Sequence, residues 1–266
     1  MATDERVESH INPNVPTIAR VYDYWLGGKD NFAVDRELAE RFVQADPMVV
    51  AGVRSNRAFL GRAVRFLAGD VGIRQFLDIG TGIPTANNTH EVAQSVDPRC
   101  RVAYVDNDPM VLAHARALLT SVSAPTAYID ADARETSKIL AQVTDTLDLS
   151  QPVAVMLIGL LHCIPDVDDP YRIVAALMRA VPSGSYLAIS HPASDIHASA
   201  MAEGAAMMNK ELPAPVTFRA YKQVLPFFDG LELVEPGVVP TTQWRPDPAA
   251  DTTPLPGWVG VARKPR

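Results

Sequence analysis

Short apolar runs alternate with stretches of helical periodicity from residue 75 onward, and this alternation constrains the fold more than any other feature. The runs lack the apolar–polar alternation of a strand that has one face in water. Strands that helices cover on both faces have this pattern, and such strands form parallel sheets. Five strands are predicted, at residues 75–79, 101–106, 127–130, 152–158 and 185–190.

The last part of the chain departs from this alternation. Residues 231–235 and 257–262 predict two further strands, and no helical pattern lies between them. Neighbouring strands joined in this way most simply pair antiparallel. We therefore predict an α/β fold with a mostly parallel seven-stranded sheet that ends in an antiparallel strand pair. This Rossmann-like plan is typical of class I methyltransferases rather than of nicotinamide dehydrogenases.

The segment before the first strand predicts a helical N-terminal cap over residues 1–70, ahead of a single Rossmann-like unit at residues 71–266. Leu38 and Phe42 share one face of a predicted helix, and a second helix follows Pro47. Four arginines fall between the apolar positions of the second helix. They predict a solvated basic face and are Arg54, Arg57, Arg62 and Arg65.

The charge balance of the 266-residue chain argues against several function classes. Its 24 basic and 31 acidic residues give a net charge of −7, so neither nucleic acid nor a membrane is an expected partner. Cys100 and Cys163 are too few for a disulfide framework or a cysteine-based zinc site, and we expect no metal. The longest apolar run, residues 153–161, is too short to span a bilayer, and the N-terminus is polar. We expect a cytoplasmic protein.

A glycine-rich turn follows the first predicted strand. Asp78 closes the strand, and Gly80 and Gly82 allow the backbone to turn tightly beside a ligand. Pro84 and Thr85 fit the first turn of the next helix, where free amides would suit an anionic group such as a methionine carboxylate. A nicotinamide site would have its third glycine where Thr85 stands. A turn that merely connects strand to helix is the plain structural alternative.

Acidic residues also close the second and third strands. Asp106 can accept hydrogen bonds from both hydroxyls of an adenosine ribose, whereas Asp108 is better placed to cap the following helix. Asp132 can accept from an adenine amino group, and the small Ala133 allows close approach. An ordinary loop acid is an equally good interpretation of Asp132.

The loops after the fourth and fifth strands should border the ligand, because ligands of open α/β sheets lie beyond the carboxyl ends of the strands. His162 follows the fourth strand and His191 follows the fifth. Both histidines are candidates for a general base if the acceptor must lose a proton. A lone histidine is more often a structural hydrogen-bonding residue.

Three segments carry a resemblance to a known family. They are ARVYDYWLGGKDNF at residues 19–32, DIGTGIPT at 78–85 and LLHCIPD at 160–166. The resemblance also covers residues 231–238. From about Thr17 to its C-terminus the chain resembles the bacterial S-adenosyl methyltransferase family. The resemblance implies the class I fold and the cofactor S-adenosylmethionine, with S-adenosylhomocysteine as product, but it implies no particular acceptor.

The candidate cofactor-binding residues combine the family motifs with the strand-end positions. They are Tyr22, Gly28, Lys29, Asn31, Asp78, Gly80, Thr81, Gly82, Asp106, Asn107, Asp132, Ala133 and Leu160.

The N-terminal motif has two interpretations. The segment from Tyr22 to Asn31 can cover the cofactor as a lid and exclude water. Alternatively, its aromatic residues simply attach the cap to the sheet.

Three functions remain open at this level. A methyltransferase acting on an oxygen or nitrogen of a small molecule comes first, because methyl transfer needs positioning more than a catalytic side chain. A non-catalytic module that senses S-adenosylmethionine or S-adenosylhomocysteine needs the same pocket. An NAD-dependent oxidoreductase is disfavoured by Thr85 and by the antiparallel end of the sheet.

Overall fold

The sheet explains the apolar runs of the sequence. The computed structural model describes residues 11–118 and 124–266, in which eight strands form one sheet. The strands are β1 (Gln75–Ile79), β2 (Arg101–Asp106), β3 (Thr126–Asp130), β4 (Ala154–Ile158), β5 (Tyr186–Pro192), β6 (Glu232–Leu233), β7 (Val239–Pro240) and β8 (Gly257–Arg263).

The strand order is β3-β2-β1-β4-β5-β8-β6, and β7 also pairs with β8. The first five strands are parallel, and β8 runs antiparallel to β5, β6 and β7. The predicted class I plan is therefore confirmed. Two details were wrong: the sheet has an eighth strand, β7, and the strand expected at residues 231–235 is only two residues long. Two-residue strands are too short to show the alternation on which sequence prediction depends.

Helices cover both faces of the sheet. Their bounds are α1 (Ile18–Leu26), α2 (Ala33–Ala45), α3 (Val49–Arg65), α4 (Thr89–Val96), α5 (Pro109–Leu118), α6 (Thr136–Val143), α7 (Pro170–Ala180), α8 (Ala198–Glu211) and α9 (Tyr221–Val224). Leu77, Ile79 and Leu157 face a core that α6 and α7 complete. Phe76 and Met156 face the opposite core, which contains α3 and α4. Burial on both faces is why these strands read as unbroken apolar runs.

A third apolar cluster holds the N-terminal helices together. Trp25 of α1 and Phe42 of α2 meet edge to face at 5.3 Å between ring centroids. Met208 of α8 joins the same cluster, and a Cβ on Gly204 would lie 2.3 Å from the Phe42 ring. Helix α8, far from residues 1–70 in sequence, therefore packs against the N-terminal helices.

A buried ion pair fixes the entry to the cap. Nε of Arg20 donates to Oδ2 of Asp35 at 2.8 Å, and both side chains are almost fully buried. The Asp35 carboxylate also accepts the amides of Thr17 and Phe32. Removing one member would leave a buried charge uncompensated, which makes such pairs costly to break.

The helix expected to begin at Pro84 begins instead at Thr89. Residues 80–88 form a loop, in which the Thr85 amide donates to Oδ1 of Asn88. Asn88 is the N-cap of α4, and its own amide donates to Glu91 at 2.8 Å. This capping pair outweighs the preference of proline for a first helical turn.

Candidate cofactor and acceptor site

One cavity of about 300 Å³ lies beyond the carboxyl ends of the parallel strands. Its cofactor half consists of the strand-end loops and includes Asp78, Gly80, Asp106, Asn107 and Leu160. Its cap half consists of helix and loop side chains and includes Trp25, Phe42, Asp46, Met208 and Phe218. The sheet edge expected to carry the ligand therefore does line the cavity.

The glycine turn is built for close approach. Gly80 has φ +74°, and a Cβ there would lie 2.5 Å from Cδ1 of Leu160. Gly82 has φ +67°, again in the left-handed region that favours glycine. The sequence suggested free amides at this turn, but the amides of both glycines are hydrogen-bonded. Gly80 donates to the Val105 carbonyl at 2.8 Å, and Gly82 donates to Oδ2 of Asp106 at 2.9 Å.

Asp106 ends β2 and lines the cavity. Besides the Gly82 bond, its Oδ1 accepts the Asp108 amide at 3.0 Å. Burial raises the pKa of the Asp106 carboxyl to about 6, and the two amides only partly oppose this. Each carboxylate oxygen has further acceptor capacity, which ribose hydroxyls can use. Asp108 accepts the Met110 amide and so caps α5, as predicted.

Asp78 is the penultimate residue of β1 and is only 3% exposed. Its Oδ2 accepts a hydrogen bond from the Thr89 hydroxyl at 2.6 Å. Burial raises the pKa of Asp78 to about 6, while the Thr89 bond and the positive charge of Arg57 act against that increase. Two carboxyl groups with raised pKa values thus face one cavity, and a hydroxyl-rich, positively charged ligand would favour their ionised forms.

The third strand end contributes differently. Ala133 and Asn107 line the cavity, whereas the Asp132 side chain does not. Asp132 forms an ion pair with Arg134 at 2.6 Å, which lowers its pKa, and it also accepts from Asn107 at 3.0 Å. Asp132 therefore holds Asn107 in place. Thr81 and Leu160 line the cavity as well.

The N-terminal motif divides into two parts. Tyr22 lines the cavity, while Gly28, Asn31 and the exposed Lys29 do not. Asn31 donates to Oδ2 of Asp23 at 2.8 Å. A Cβ on Gly28 would overlap Oδ1 of Asp23, 1.9 Å away. Much of the motif therefore builds a tight loop around Asp23, which itself lines the cavity.

The two candidate bases differ in whether a ring nitrogen is left without a hydrogen-bond partner. His191 Nδ1 lies 3.0 Å from the Pro192 carbonyl, which can only accept, so this nitrogen donates. Its Nε2 lies 2.9 Å from Nη1 of Arg219, which can only donate, so Nε2 accepts. Both ring nitrogens of His191 are therefore engaged, which argues against this candidate for a general base.

His162 lines the cavity, and its Nδ1 is buried with no hydrogen-bond partner in the described part of the chain. Burial and the nearby Arg219 lower its pKa to about 4, so the ring is neutral at pH 7. Its Nε2 lies 3.5 Å from Sγ of Cys163, whose pKa burial raises to about 12. Cys163 is therefore an unreactive thiol, and His162 is the candidate histidine that keeps an unpartnered ring nitrogen among the described residues.

Four cavity residues escaped the sequence analysis. Asn56 donates to the Tyr22 hydroxyl at 2.9 Å, and Arg57 binds the carbonyls of the 80–88 loop. The solvated face predicted for these arginines was therefore wrong for Arg57, which lines the cavity, and for the half-buried Arg62, which donates to two backbone carbonyls. Ser190 and Asp46 also line it. The sequence pattern alone shows only that Asn56 and Arg57 lie on α3 outside its apolar face, and it does not indicate a cavity.

Two findings concern what the described residues lack. Within residues 11–118 and 124–266, no cluster of histidine, cysteine and acidic side chains could hold a metal ion. No helix in these same two ranges is long and apolar enough to cross a membrane.

Solved structures with closely similar folds include two of high sequence identity. A DUF574 family protein from Streptomyces avermitilis is 41% identical, with a TM-score of 0.90, and the match covers 94% of this chain and 98% of that one. A candidate methyltransferase from Thermobifida fusca is 45% identical, with a TM-score of 0.88, and coverage is 95% and 96%.

More distant similarity shows the fold alone. A SAM-dependent methyltransferase from Anabaena variabilis is 13% identical with a TM-score of 0.52, over 93% of this chain and 95% of that one. No functionally curated protein matches the chain.

The family assignment comes from the whole length of the chain. The family model described as S-adenosyl methyltransferase matches residues 4–265. The cavity beyond the strand ends, with its glycine turn and two acidic residues, agrees with a site for that cofactor. The chain belongs to the S-adenosyl methyltransferase family, whose cofactor is S-adenosylmethionine.

Proposed function

We propose that this methyltransferase transfers a methyl group to an oxygen or nitrogen atom of a small molecule bound in the cap half of the cavity. The carrying observation is that one cavity joins the strand-end acids to a largely apolar chamber under the cap. A small molecule in that chamber would lie next to the cofactor half. This placement supports direct transfer, because most of the acceleration in such a reaction can come from orientation, on the order of 7–11 kcal/mol.

The cofactor half divides its tasks among a few residues. Asp106 accepts the ribose hydroxyls, and Gly80 and Gly82 give the cofactor backbone-level access. Asp78 accepts from the amino group of the methionine moiety, and Arg57 lies near enough to Asp78 to attract the carboxylate of that moiety. Asn107 and Ala133 border the adenine, with Asn107 held by Asp132.

The reacting end of the cavity contains three side chains with unpartnered atoms. When bound, S-adenosylmethionine supplies an electrophilic methyl group on a positively charged sulfur. Asn56 Oδ1, Ser190 Oγ and His162 Nδ1 are buried and have no hydrogen-bond partner among the described residues. These atoms would bind and orient an acceptor in the cavity. Because His162 is neutral at pH 7, its Nδ1 could accept the proton that an O–H or N–H acceptor gives up on methylation.

The N-terminal residues are also part of this proposal. Tyr22 and the loop around Asp23 close the cavity and limit the access of water. Gly28, Lys29 and Asn31 contribute indirectly, by shaping that loop. We also propose a cytoplasmic location, which the two unpaired cysteines support, since unpaired thiols suit a reducing compartment.

The test is a search for turnover. Purified protein is incubated with methyl-labelled S-adenosylmethionine and fractionated small molecules from cell extract, and S-adenosylhomocysteine formation is measured. We expect at least one fraction to produce it, and the label should appear in a low-molecular-weight product. His162→Ala should reduce that turnover while leaving S-adenosylhomocysteine affinity unchanged. Tight cofactor binding with no labelled product from any fraction would favour the sensing module instead.

A further inference from the structure

A buried carboxylate in the cap half has one oxygen without a partner. Asp46 follows α2, lines the cavity and is only 2% exposed. Its Oδ1 accepts the Met48 amide at 3.0 Å, whereas its Oδ2 has no hydrogen-bond partner in residues 11–118 and 124–266. No lysine or arginine of these two ranges forms an ion pair with it. A buried carboxyl oxygen left without a hydrogen-bond partner costs free energy, which a ligand can recover.

The surroundings of Asp46 favour a positive charge. Phe42 lies one helical turn before Asp46, and Trp25 meets its ring. Met201 and Met208 of α8 line the same half of the cavity. Aromatic faces attract ammonium groups, and thioether side chains adapt to apolar bodies of different shape.

The positively charged side chain that lines the cavity acts in the cofactor half rather than on Asp46. Among the lining residues, Arg57 is the single lysine or arginine, and its charge acts on Asp78 in the cofactor half. Phe218 connects the two regions, because it packs on the cap cluster while its ring lies 6.2 Å from that of His162. A molecule under the cap that contacts Phe218 therefore lies close to the His162 ring.

We propose that the methyl acceptor is an organic amine, charged in solution, whose ammonium group binds Oδ2 of Asp46 and whose apolar body packs against Trp25, Phe42 and Met208. This inference rests on the proposed function, since it names the substrate class of the same cavity. A neutral molecule would leave Asp46 Oδ2 with at most a weaker bond, and a carboxylate would be repelled.

The first experiment measures charge preference in the wild-type protein by calorimetry, with and without saturating S-adenosylhomocysteine. The probes are 2-phenylethylamine, hexan-1-amine and their matched alcohols, with 3-phenylpropanoate as the anionic probe. We expect each amine to bind roughly tenfold or more tightly than its alcohol, and the carboxylate not to bind. Equal binding of amine and alcohol, or no amine binding at millimolar concentration, would overturn the proposal.

The second experiment uses Asp46→Asn, which keeps an oxygen for the Met48 amide and replaces the unpartnered oxygen with an NH₂ group. We expect the amine preference to disappear, with S-adenosylhomocysteine affinity unchanged and the melting temperature of the free protein not lowered. Asp229→Asn on an exposed loop is the control and should change none of these. A lower melting temperature with unchanged amine affinity would make Asp46 structural and overturn the proposal.

Two further outcomes separate this inference from the proposed function. If Asp46→Asn weakens S-adenosylhomocysteine binding, the carboxylate belongs to the cofactor half, and the amine proposal fails while the methyltransferase proposal stands. If the wild-type protein binds no S-adenosylhomocysteine, the proposed function fails, and the amine preference without cofactor still decides the role of Asp46. If the variant does not fold, the wild-type comparison of amine with alcohol decides alone.

Discussion

The two halves of the cavity are built on different principles. The cofactor half uses backbone geometry, since its glycines and acids stand directly at the ends of β1 and β2. The cap half uses side chains from distant segments, among them Trp25, Asp46, Met208 and Phe218. A turn at a strand end is fixed by the sheet, whereas a wall assembled from helices can change its side chains without altering the fold. The first arrangement suits a ligand common to a family, and the second suits a ligand that differs between members.

The cofactor half of the cavity and the entry to the cap also differ in how they hold charge. The cofactor half contains Asp78 and Asp106, whose pKa values are raised to about 6. Burial therefore disfavours their ionised forms, and a positively charged or hydrogen-bonding ligand would stabilise those forms. The cap is secured by the internally satisfied pair of Arg20 and Asp35. Charge in the cofactor half should therefore govern affinity, and charge in the cap entry should govern stability.

The largest effect should follow from breaking the cap ion pair. Asp35→Asn leaves the Arg20 guanidinium buried without a counter-charge, and we expect a loss of about 3–5 kcal/mol in the free energy of unfolding. Urea denaturation measures this loss. Since Asp35 does not line the cavity, S-adenosylhomocysteine affinity should stay near the wild-type value under conditions where the variant is folded.

An exposed ion pair provides the control for this prediction. Glu232→Gln removes a surface pair with Arg263 at 3.2 Å and should cost within about 1 kcal/mol. The contrast between the cofactor half and the cap entry would collapse if Asp35→Asn unfolded no more easily than Glu232→Gln. It would also collapse if the main consequence of Asp35→Asn were weak cofactor binding.

The next effect belongs to the cofactor half. Asp106→Ala removes an anionic acceptor from the end of β2, and we expect S-adenosylhomocysteine binding to weaken by about 1.5–3 kcal/mol. Isothermal titration calorimetry measures this change, with the exposed Asp229→Ala as the matched acidic control. Wild-type affinity in a folded Asp106→Ala protein would refute the ribose assignment.

Affinity should also depend on pH in the direction set by the two raised pKa values. Cofactor binding requires ionised Asp78 and Asp106, so affinity should fall below pH 6, by up to about tenfold per pH unit for each carboxyl. The stability of the free protein runs the other way. A raised carboxyl pKa stabilises the fold below the unfolded value near 4, and this contribution is lost as pH rises through about 6.

The increase in melting temperature caused by S-adenosylhomocysteine should therefore grow between pH 5 and 7.5. Asp106→Asn removes one of the two titrating groups and should flatten this profile. A profile that is flat in the wild-type protein would show that neither carboxyl changes its ionisation on binding.

The same contrast explains what the sequence could predict. The sheet was predictable because buried strands produce contiguous apolar runs, and the acids and glycines of the cofactor half stand next to those runs. The loop that delays α4 to Thr89 was missed, because the Asn88–Glu91 capping pair competes with an equally reasonable signal at Pro84. The short β7 was missed because two residues carry no periodicity.

The cap half was much less predictable. Asp46, Asn56 and Ser190 are scattered along the chain, and the packing of α2, α3 and β5 alone brings them to one cavity. A single polar residue at a helix end is indistinguishable in sequence from an ordinary surface residue. The role of Arg57 was hidden for the same reason, since its helix carries three other arginines at similar spacing.

The smallest effects should come from the N-terminal motif, where two single substitutions separate a lid from a packing role. Asn31→Ala removes bonds to Asp23 and to the Gly28 carbonyl, and we expect a stability loss of about 1 kcal/mol with unchanged S-adenosylhomocysteine affinity. Tyr22→Phe removes a hydroxyl that contacts Asn56 at the cavity wall. It should lower the turnover rate while leaving the melting temperature close to the wild-type value, because Asn56 then loses the hydrogen bond that orients it.

These expectations revise the lid hypothesis without discarding it. A lid in which Asn31 touches the cofactor requires Asn31→Ala to weaken binding at an unchanged melting temperature of the free protein. The hydrogen bonds of Asn31 point instead to Asp23, so the cofactor would sense Asn31 only through the loop. Calorimetry and thermal unfolding of both variants decide the matter. If Tyr22→Phe also leaves turnover and affinity unchanged, the segment from Tyr22 to Asn31 has only a structural packing role. Acceptor binding under the cap would then depend on Asp46 and the aromatic side chains alone.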